Sequence, residues 1–244
     1  MAAITVKNLT KKFDDLLVLD NISFEVSDGE FLCIVGPTGC GKTTFLNSLI
    51  KLYDITSGEI LVNGEPVDLQ RHNISYIFQE NSTMPWLTVE QNISFGLDIK
   101  HIPRAQKKES VREMMDIVGL TPYRSYYPRQ LSSSMLQRVS IARAFATDPE
   151  LLMMDEPYGQ LDIELRFRLE DELIKLWERT KTTVLFITHN IEESVYLGQH
   201  ILVLTNKPTG IKEKIADNLP RPRDIASPEF VGLRHHVTEM IKWW

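Results

Sequence analysis

Residues 36–44 read GPTGCGKTT and lie between an apolar run, EFLCIV at residues 30–35, and a helix-like stretch, KTTFLNSLIKL at residues 42–52. The spacing satisfies G-x-x-x-x-G-K-[ST], in which a glycine-rich turn between a strand and a helix cradles phosphate oxygens with its backbone N–H groups. Gly36, Gly39 and Gly41 permit the tight turn, and Pro37, Thr38 and Cys40 complete the loop. Lys42 supplies positive charge near the outer phosphates, and Thr43, followed by Thr44, offers a hydroxyl to Mg²⁺. A buried strand, this loop and a helix predict an α/β fold built on a P-loop NTPase (RecA-like) core.

The wider chain fits that core. It has 244 residues, 43% of them hydrophobic and 25% charged, an ordinary composition for a soluble globular protein with a sizeable core. A net charge of -6 argues against a duplex-DNA binder, and no nucleic-acid module is visible. Runs such as LLMM and TVLFIT are far shorter than a membrane span, and MAAITVKNLTKKF lacks the apolar centre of a secretory signal, which predicts a soluble, intracellular chain. Cys33 and Cys40 have no metal-ligand spacing and read as reduced thiols. Cys40, in the loop just before a helix N-terminus, is expected to have a lowered pKa and to be reactive, while Cys33, inside an apolar strand, is expected to be inert.

Strand-like runs (TVKNLT, ISFEV, EFLCIVG, EILVNG, NISYIFQ, ELLMMDEP, TTVLFITH, HILVLTN) alternate with helix-like ones in the later chain and crowd together near the start. This order predicts an N-terminal antiparallel β layer added to the core. Residues 88–147 break the alternation by reading as mostly helical, a helical insertion within a single domain over residues 1–244. Residues 227–244 open with Ser227 and Pro228, a helix start, and then place Phe230, Leu233, Val237, Ile241 and Trp244 on one face of a packed closing helix.

A second chemical signal is Asp155-Glu156-Pro157, after the apolar run LLMM. Two carboxylates at the C-terminal end of a buried strand stand where open α/β sheets bind their ligands. Asp155 would hold Mg²⁺ directly or through water, and Glu156 could accept a proton from water attacking a γ-phosphate. A guanine-specific NTPase is disfavoured, because TNKPTG at residues 205–210 lacks the aspartate of N-K-x-D.

The ordered set Phe13, GPTGCGKTT, Gln79, LSSSMLQR, LLMMDEP, GQLD (residues 159–162) and His189 resembles the ATP-binding subunit of ABC transporters over nearly the whole chain. The resemblance implies that Phe13 stacks on adenine, that Gln79 reaches Mg²⁺ and the attacking water, that His189 contacts the γ-phosphate, and that Asp162 lies at a dimer seam. It also implies ATP and Mg²⁺ as cofactors, a second ATP-binding subunit, transmembrane permease subunits and a solute-binding protein as partners, and a peripheral place on the cytoplasmic face of the membrane. No nucleic-acid partner is expected.

In that family the signature, commonly Leu-Ser-Gly-Gly-Gln, begins a helix whose N-terminus faces the γ-phosphate of the opposite subunit. Ser132 matches the signature serine, and Ser134 falls in the same first turn; both are carried over as nucleotide contacts in trans. Ser133 and Ser134 replace glycines, so either their side chains hinder the backbone's approach to phosphate or the stretch is an unimpaired variant. A serine before a helix also reads simply as an N-cap.

MPWLTVEQNISFGL, DEPYGQLD and LPRPRD further resemble the importer branch for nitrate, aliphatic sulfonates and taurine. There the face around residues 79–96 receives a short helix from the permease. The plainer readings are a capping turn with a buried tryptophan for MPW and a polar, extended surface segment for PRPRD. Two other functions stay open: a soluble ABC ATPase attached to no permease, and a weakly hydrolysing regulatory subunit.

Overall fold

The computed structural model describes residues 2–80, 82–159, 161 and 163–241. In chain order the elements are β1 (Ala2–Phe13), β2 (Leu16–Ser27), β3 (Phe31–Val35), α1 (Lys42–Leu49), β4 (Ser57–Val62), β5 (Glu65–Pro66), β6 (Ile74–Ile77), α2 (Val89–Ile99), α3 (Arg104–Ile117), α4 (Ser133–Ala146), β7 (Leu151–Asp155), α5 (Ile163–Thr180), β8 (Thr183–Ile187), α6 (Ile191–Leu197), β9 (His200–Leu204), β10 (Ile211–Ala216) and α7 (Pro228–Ile241). They gather into two compact units, Met1–His72 with Thr183–Trp244, and Asn73–Thr182.

The first unit contains an antiparallel sheet in the order β2-β1-β4-β5. β2 buries alternate residues, Ile22, Phe24 and Val26, as expected of a strand with one covered face. Phe24 meets Phe45 of α1 with ring centroids 5.5 Å apart, which ties the layer to the helix. The same unit holds parallel strands, with β3 between β8 and β9 and β10 antiparallel beyond β9. Every residue of β3 and β8 is buried, the continuous apolar run of a strand covered on both faces. β5 and β10 have too little apolar patterning to stand out in the sequence: β5 is two exposed residues, and in β10 only Ile215 is buried.

α7 closes this unit. The Ser227 hydroxyl accepts from Phe230 N at 3.2 Å, an N-cap, and Phe230 and Val237 enter a cluster with Val35, Val195, Ile201, Val203 and Ile215. Leu233 and Ile241 pack against its rim, and Trp244 lies outside the described residues.

In the second unit β6 and β7 run parallel, and α2, α3 and α4 pack on one another. α2 starts with a capping box: Thr88 Oγ1 accepts from Gln91 N at 3.3 Å, and Gln91 Oε1 accepts from Thr88 N at 2.9 Å. Asn92 is fully buried; its amide donates to the carbonyls of Met84, Leu87 and Thr88, and its Oδ1 accepts from Met84 N. With Leu87 N donating to Met84 O at 3.1 Å, this side chain holds the MPWL turn closed. The turn does cap a helix, but Trp86 is 72% exposed, which rules out a buried tryptophan.

LPRPRD is a polar surface segment only in part: Pro220, Pro222 and Asp224 are exposed, but its two arginines turn inward. Arg223 is buried, lies 3.1 Å from Asp217 and donates to the carbonyls of Val195 and Tyr196, while Arg221 donates to those of Tyr196 and Leu197. Both guanidiniums thus satisfy carbonyls at the C-terminal end of α6, where a helix favours cations. Burial, with Arg221 nearby, lowers the Arg223 pKa to about 10.

Phe230 is completely buried in its cluster. Phe230→Ala is expected to cost about 3–5 kcal/mol of unfolding free energy, read from urea denaturation followed by circular dichroism. A cost below about 1 kcal/mol would show that α7 is not part of the core.

Candidate functional site

In the first unit β3 and β8 are parallel neighbours, so their C-terminal ends lie side by side, and Thr188 N donates to Ile34 O at 3.2 Å where they stop. The loop of residues 36–41 leaves β3 and leads straight into α1. Gly39 and Gly41 take left-handed φ values of +76° and +111°, conformations that L side chains resist. Gly41 is the N-cap of α1, no side chain caps the helix, and no acidic residue stands in its first turn. The first-turn N–H donors and the positive dipole end are therefore left without a side-chain cap, an arrangement suited to an anion.

Lys42 is buried, and its ammonium donates to the carbonyls of Gly36 (3.0 Å) and Pro37 (3.1 Å). The charge is held against the loop itself. Thr38, Gly39 and Thr43 are exposed, and Thr44 is half-buried.

Cys40 corrects an expectation. It is 2% exposed, and burial raises its pKa despite the opposing charge of Lys42. A helix N-terminus lowers a thiol pKa only where the thiolate is solvated or paired; here the sulfur packs beneath Gly36, where an added Cβ would lie 3.1 Å from it. Cys33 is fully buried, and burial pushes its pKa well up.

At the end of β8, Thr188 donates to the buried carboxylate of Glu193 and accepts from Asn190 N at 2.9 Å. Asn190 caps α6, its Oδ1 accepting from Glu192 N (2.9 Å) and Glu193 N (3.4 Å). Between these fixed neighbours His189 is presented to solvent. The cap and its acidic first turn are sequence signals for a helix start; the role of Glu193 in shaping this turn became visible only in the fold.

Phe13, at the end of β1, is 39% exposed, meets Tyr53 edge-on with centroids 5.5 Å apart and has Lys11 Nζ 4.4 Å from its ring centroid.

The second unit repeats the strand-end arrangement with β6 and β7. Gln79 follows β6, Asp155 ends β7, and Glu156 comes directly after it. Gln79 Nε2 lies 3.4 Å from Glu156 Oε2, and Tyr76 OH lies 3.5 Å from Asp155 Oδ2, where Asp155 is 3% exposed. Glu156 has φ of +45°, a conformation that non-glycine residues seldom adopt and that clusters at working sites. The buried Tyr158, donating to Leu169 O at 3.3 Å, anchors the turn that follows. Asp155 brings a hard oxygen of the kind Mg²⁺ prefers.

Ser132 is the N-cap of α4: its hydroxyl accepts from Met135 N at 3.4 Å and lies 2.9 Å from Ser134 Oγ. Ser133 is exposed and Ser134 half-buried in the first turn. Asp162 lies outside the described residues.

Residues 19–159 match the family described as ABC transporter. Over 241 residues the chain is 43% identical to an uncharacterized ABC transporter ATP-binding protein of Methanocaldococcus jannaschii, covering 97% of this chain and 90% of that protein. It is 39% identical over 236 residues to the aliphatic sulfonates import ATP-binding protein SsuB of Bacillus cereus, covering 97% and 93%. Its fold is similar to that of the dimeric, post-hydrolysis ATP-binding cassette MJ0796 bound to ADP and Pi, with a TM-score of 0.76 and 28% identity over 87% of this chain and 98% of that one. The chain belongs to the ABC transporter family. It is an ATP-binding subunit, an ATPase with the P-loop fold. Among the described residues no helix is long and apolar enough to cross a membrane.

Because both thiols are buried with raised pKa values, maleimide at neutral pH is expected to label Cys33 and Cys40 only slowly in the native chain and fully after denaturation, with MgATP making no difference. Fast, nucleotide-blocked labelling of Cys40 would show the thiol to be accessible.

Proposed function

We propose that this chain powers an ABC importer, with two ATP-binding subunits closing on ATP and driving a separate transmembrane permease at the cytoplasmic face of the membrane. The observation that carries the reading is the uncapped N-terminus of α1 behind a glycine turn with a buried Lys42, together with the Gln79–Glu156 pair at the ends of β6 and β7. Residues 36–44 hold the phosphates of ATP, Phe13 stacks on adenine, and His189 meets the γ-phosphate. Thr43, Asp155 and Gln79 each carry an oxygen donor suited to a small hard cation and would be the residues to hold Mg²⁺, which when bound would offset the phosphate charge. Glu156 takes the proton from water as it attacks the γ-phosphate, with Gln79 beside it to orient that water. The two compact units act as one ATPase domain, the helices between residues 88 and 147 forming its helical part.

The importer reading draws on the 39% identity to the sulfonate-import subunit, which supports a small anionic or zwitterionic solute of the nitrate, sulfonate or taurine kind, delivered by a solute-binding protein. A groove of about 380 Å³ in the second unit, lined by residues that include Tyr76, Phe78, Met84, Phe95 and Ile99, offers an apolar seat for a short permease helix. Purification of the chain with its membrane complex tests this partner, and isolation of an active, permease-free ATPase would favour a soluble role.

Glu156→Gln in the intact complex is expected to lower ATP turnover by at least about a hundredfold while MgATP affinity stays within about threefold, so that the ATP-bound dimer accumulates. Turnover at the parent rate would remove Glu156 as the base.

The serine-substituted signature adds a rate expectation. Ser132 Oγ already bonds Ser134 Oγ and Met135 N, and the two following side chains stand where close backbone approach to phosphate would be needed. Replacing Ser133 and Ser134 by glycine is expected to raise ATPase activity per complex by about tenfold or more, since well-aimed donors at such sites carry effects of this size. An unchanged rate would show that the serines fit without penalty.

A further inference from the structure

TNKPTG, residues 205–210, has no guanine to read, yet the structure lays it against the phosphate-binding loop. It is the connection from β9 to β10, closed on itself by Thr205 N donating to Gly210 O (3.0 Å) and Gly210 N donating to Thr205 Oγ1 (2.8 Å). Thr209 within it is completely buried. Its backbone joins β2, with Thr209 N donating to Val18 O (2.8 Å) and its carbonyl accepting from Asp20 N (2.9 Å). Its hydroxyl has a different target and donates to the carbonyl of Cys40.

That carbonyl shares a rigid plane with the N–H of Gly41, and in a trans peptide the two point in opposite directions. Holding the Cys40 carbonyl toward the hairpin therefore aims the Gly41 N–H away from it. The need for a tether is local. Gly41 sits at φ +111° and an added Cβ there would lie 2.9 Å from Val18 Cγ1 and 3.7 Å from Thr209 Oγ1, so the loop backbone runs in close contact with β2 and the hairpin. Glycine, which lets the loop turn, also leaves its peptide planes free to rotate. A buried hydroxyl on the neighbouring carbonyl removes that freedom.

We propose that Thr209 is a positioning residue for nucleotide binding: its hydroxyl fixes the Cys40–Gly41 peptide plane, so that the phosphate-binding loop holds its donors ready before ATP arrives. This rests on the reading of residues 36–44 as the phosphate cradle. Valine at this position keeps the shape and loses the donor; serine keeps the donor.

The test uses the purified full-length chain and the variants Thr209→Val, Thr209→Ser and Lys42→Ala. Affinity for a fluorescent ATP analogue (mant-ATP with Mg²⁺) is measured alongside maleimide labelling of Cys40 and Cys33. Thr209→Val is expected to weaken nucleotide binding by about fivefold or more and to speed labelling of Cys40 but not of Cys33, with Thr209→Ser within about twofold of the parent in both. Parent-level binding by Lys42→Ala would overturn the phosphate-cradle reading itself. Loss of binding in Lys42→Ala with parent-level binding in Thr209→Val would overturn the role of Thr209 alone. Exposure of both cysteines alike in Thr209→Val would also overturn it, since Thr209 would then support the fold at large rather than the loop.

Discussion

Where a parallel strand buried on both faces comes to an end, its backbone leaves the hydrogen-bond ladder and must find new partners or face a ligand. In the first unit β3 and β8 stop side by side. One continues into the glycine loop and α1; the other continues into Thr188, His189 and the Asn190 cap of α6. In the second unit β6 and β7 stop in the same manner and deliver Gln79, Asp155 and Glu156. In each unit the residues proposed to act on ATP thus stand at strand termini, and the strands that carry them hold them in place.

Polar groups taken into such an interior need partners, because an unsatisfied one costs on the order of 1–3 kcal/mol. Lys42 turns to the carbonyls of its own loop, Asn92 to the three carbonyls of the turn before α2, and Arg223 to Asp217 and the end of α6. Glu193 receives Thr188. Each of these side chains shapes a short irregular segment that backbone ladders leave unpaired. Hydrophobic burial builds the sheets, and these directed bonds set the loops where function resides.

Cys40 shows how burial overrides a local rule. A thiol before a helix N-terminus is expected to ionise readily, but the loop folds its sulfur beneath Gly36 and away from water. Desolvation of the thiolate then outweighs the favourable charge of Lys42. Trp86 and Arg223 depart from their plainest readings in opposite directions, the aromatic ring standing in solvent and the guanidinium lying inside.

Periodicity and spacing in the sequence by themselves determined the parallel strands, the loop that follows β3, the carboxylates after β7 and the closing helix, because each is a local pattern: a continuous apolar run, a glycine spacing, a serine before a proline. β5 and β10 escaped that reading because edge strands with few buried residues carry little pattern. Only the tertiary structure decided that Gln79 lies against Glu156 77 residues away in the chain, and that Thr209 reaches Cys40 across 169 residues. The physical reason is that a hydrogen bond is set by the position of its two atoms in space. Residues so far apart in the chain share no spacing that a sequence can display.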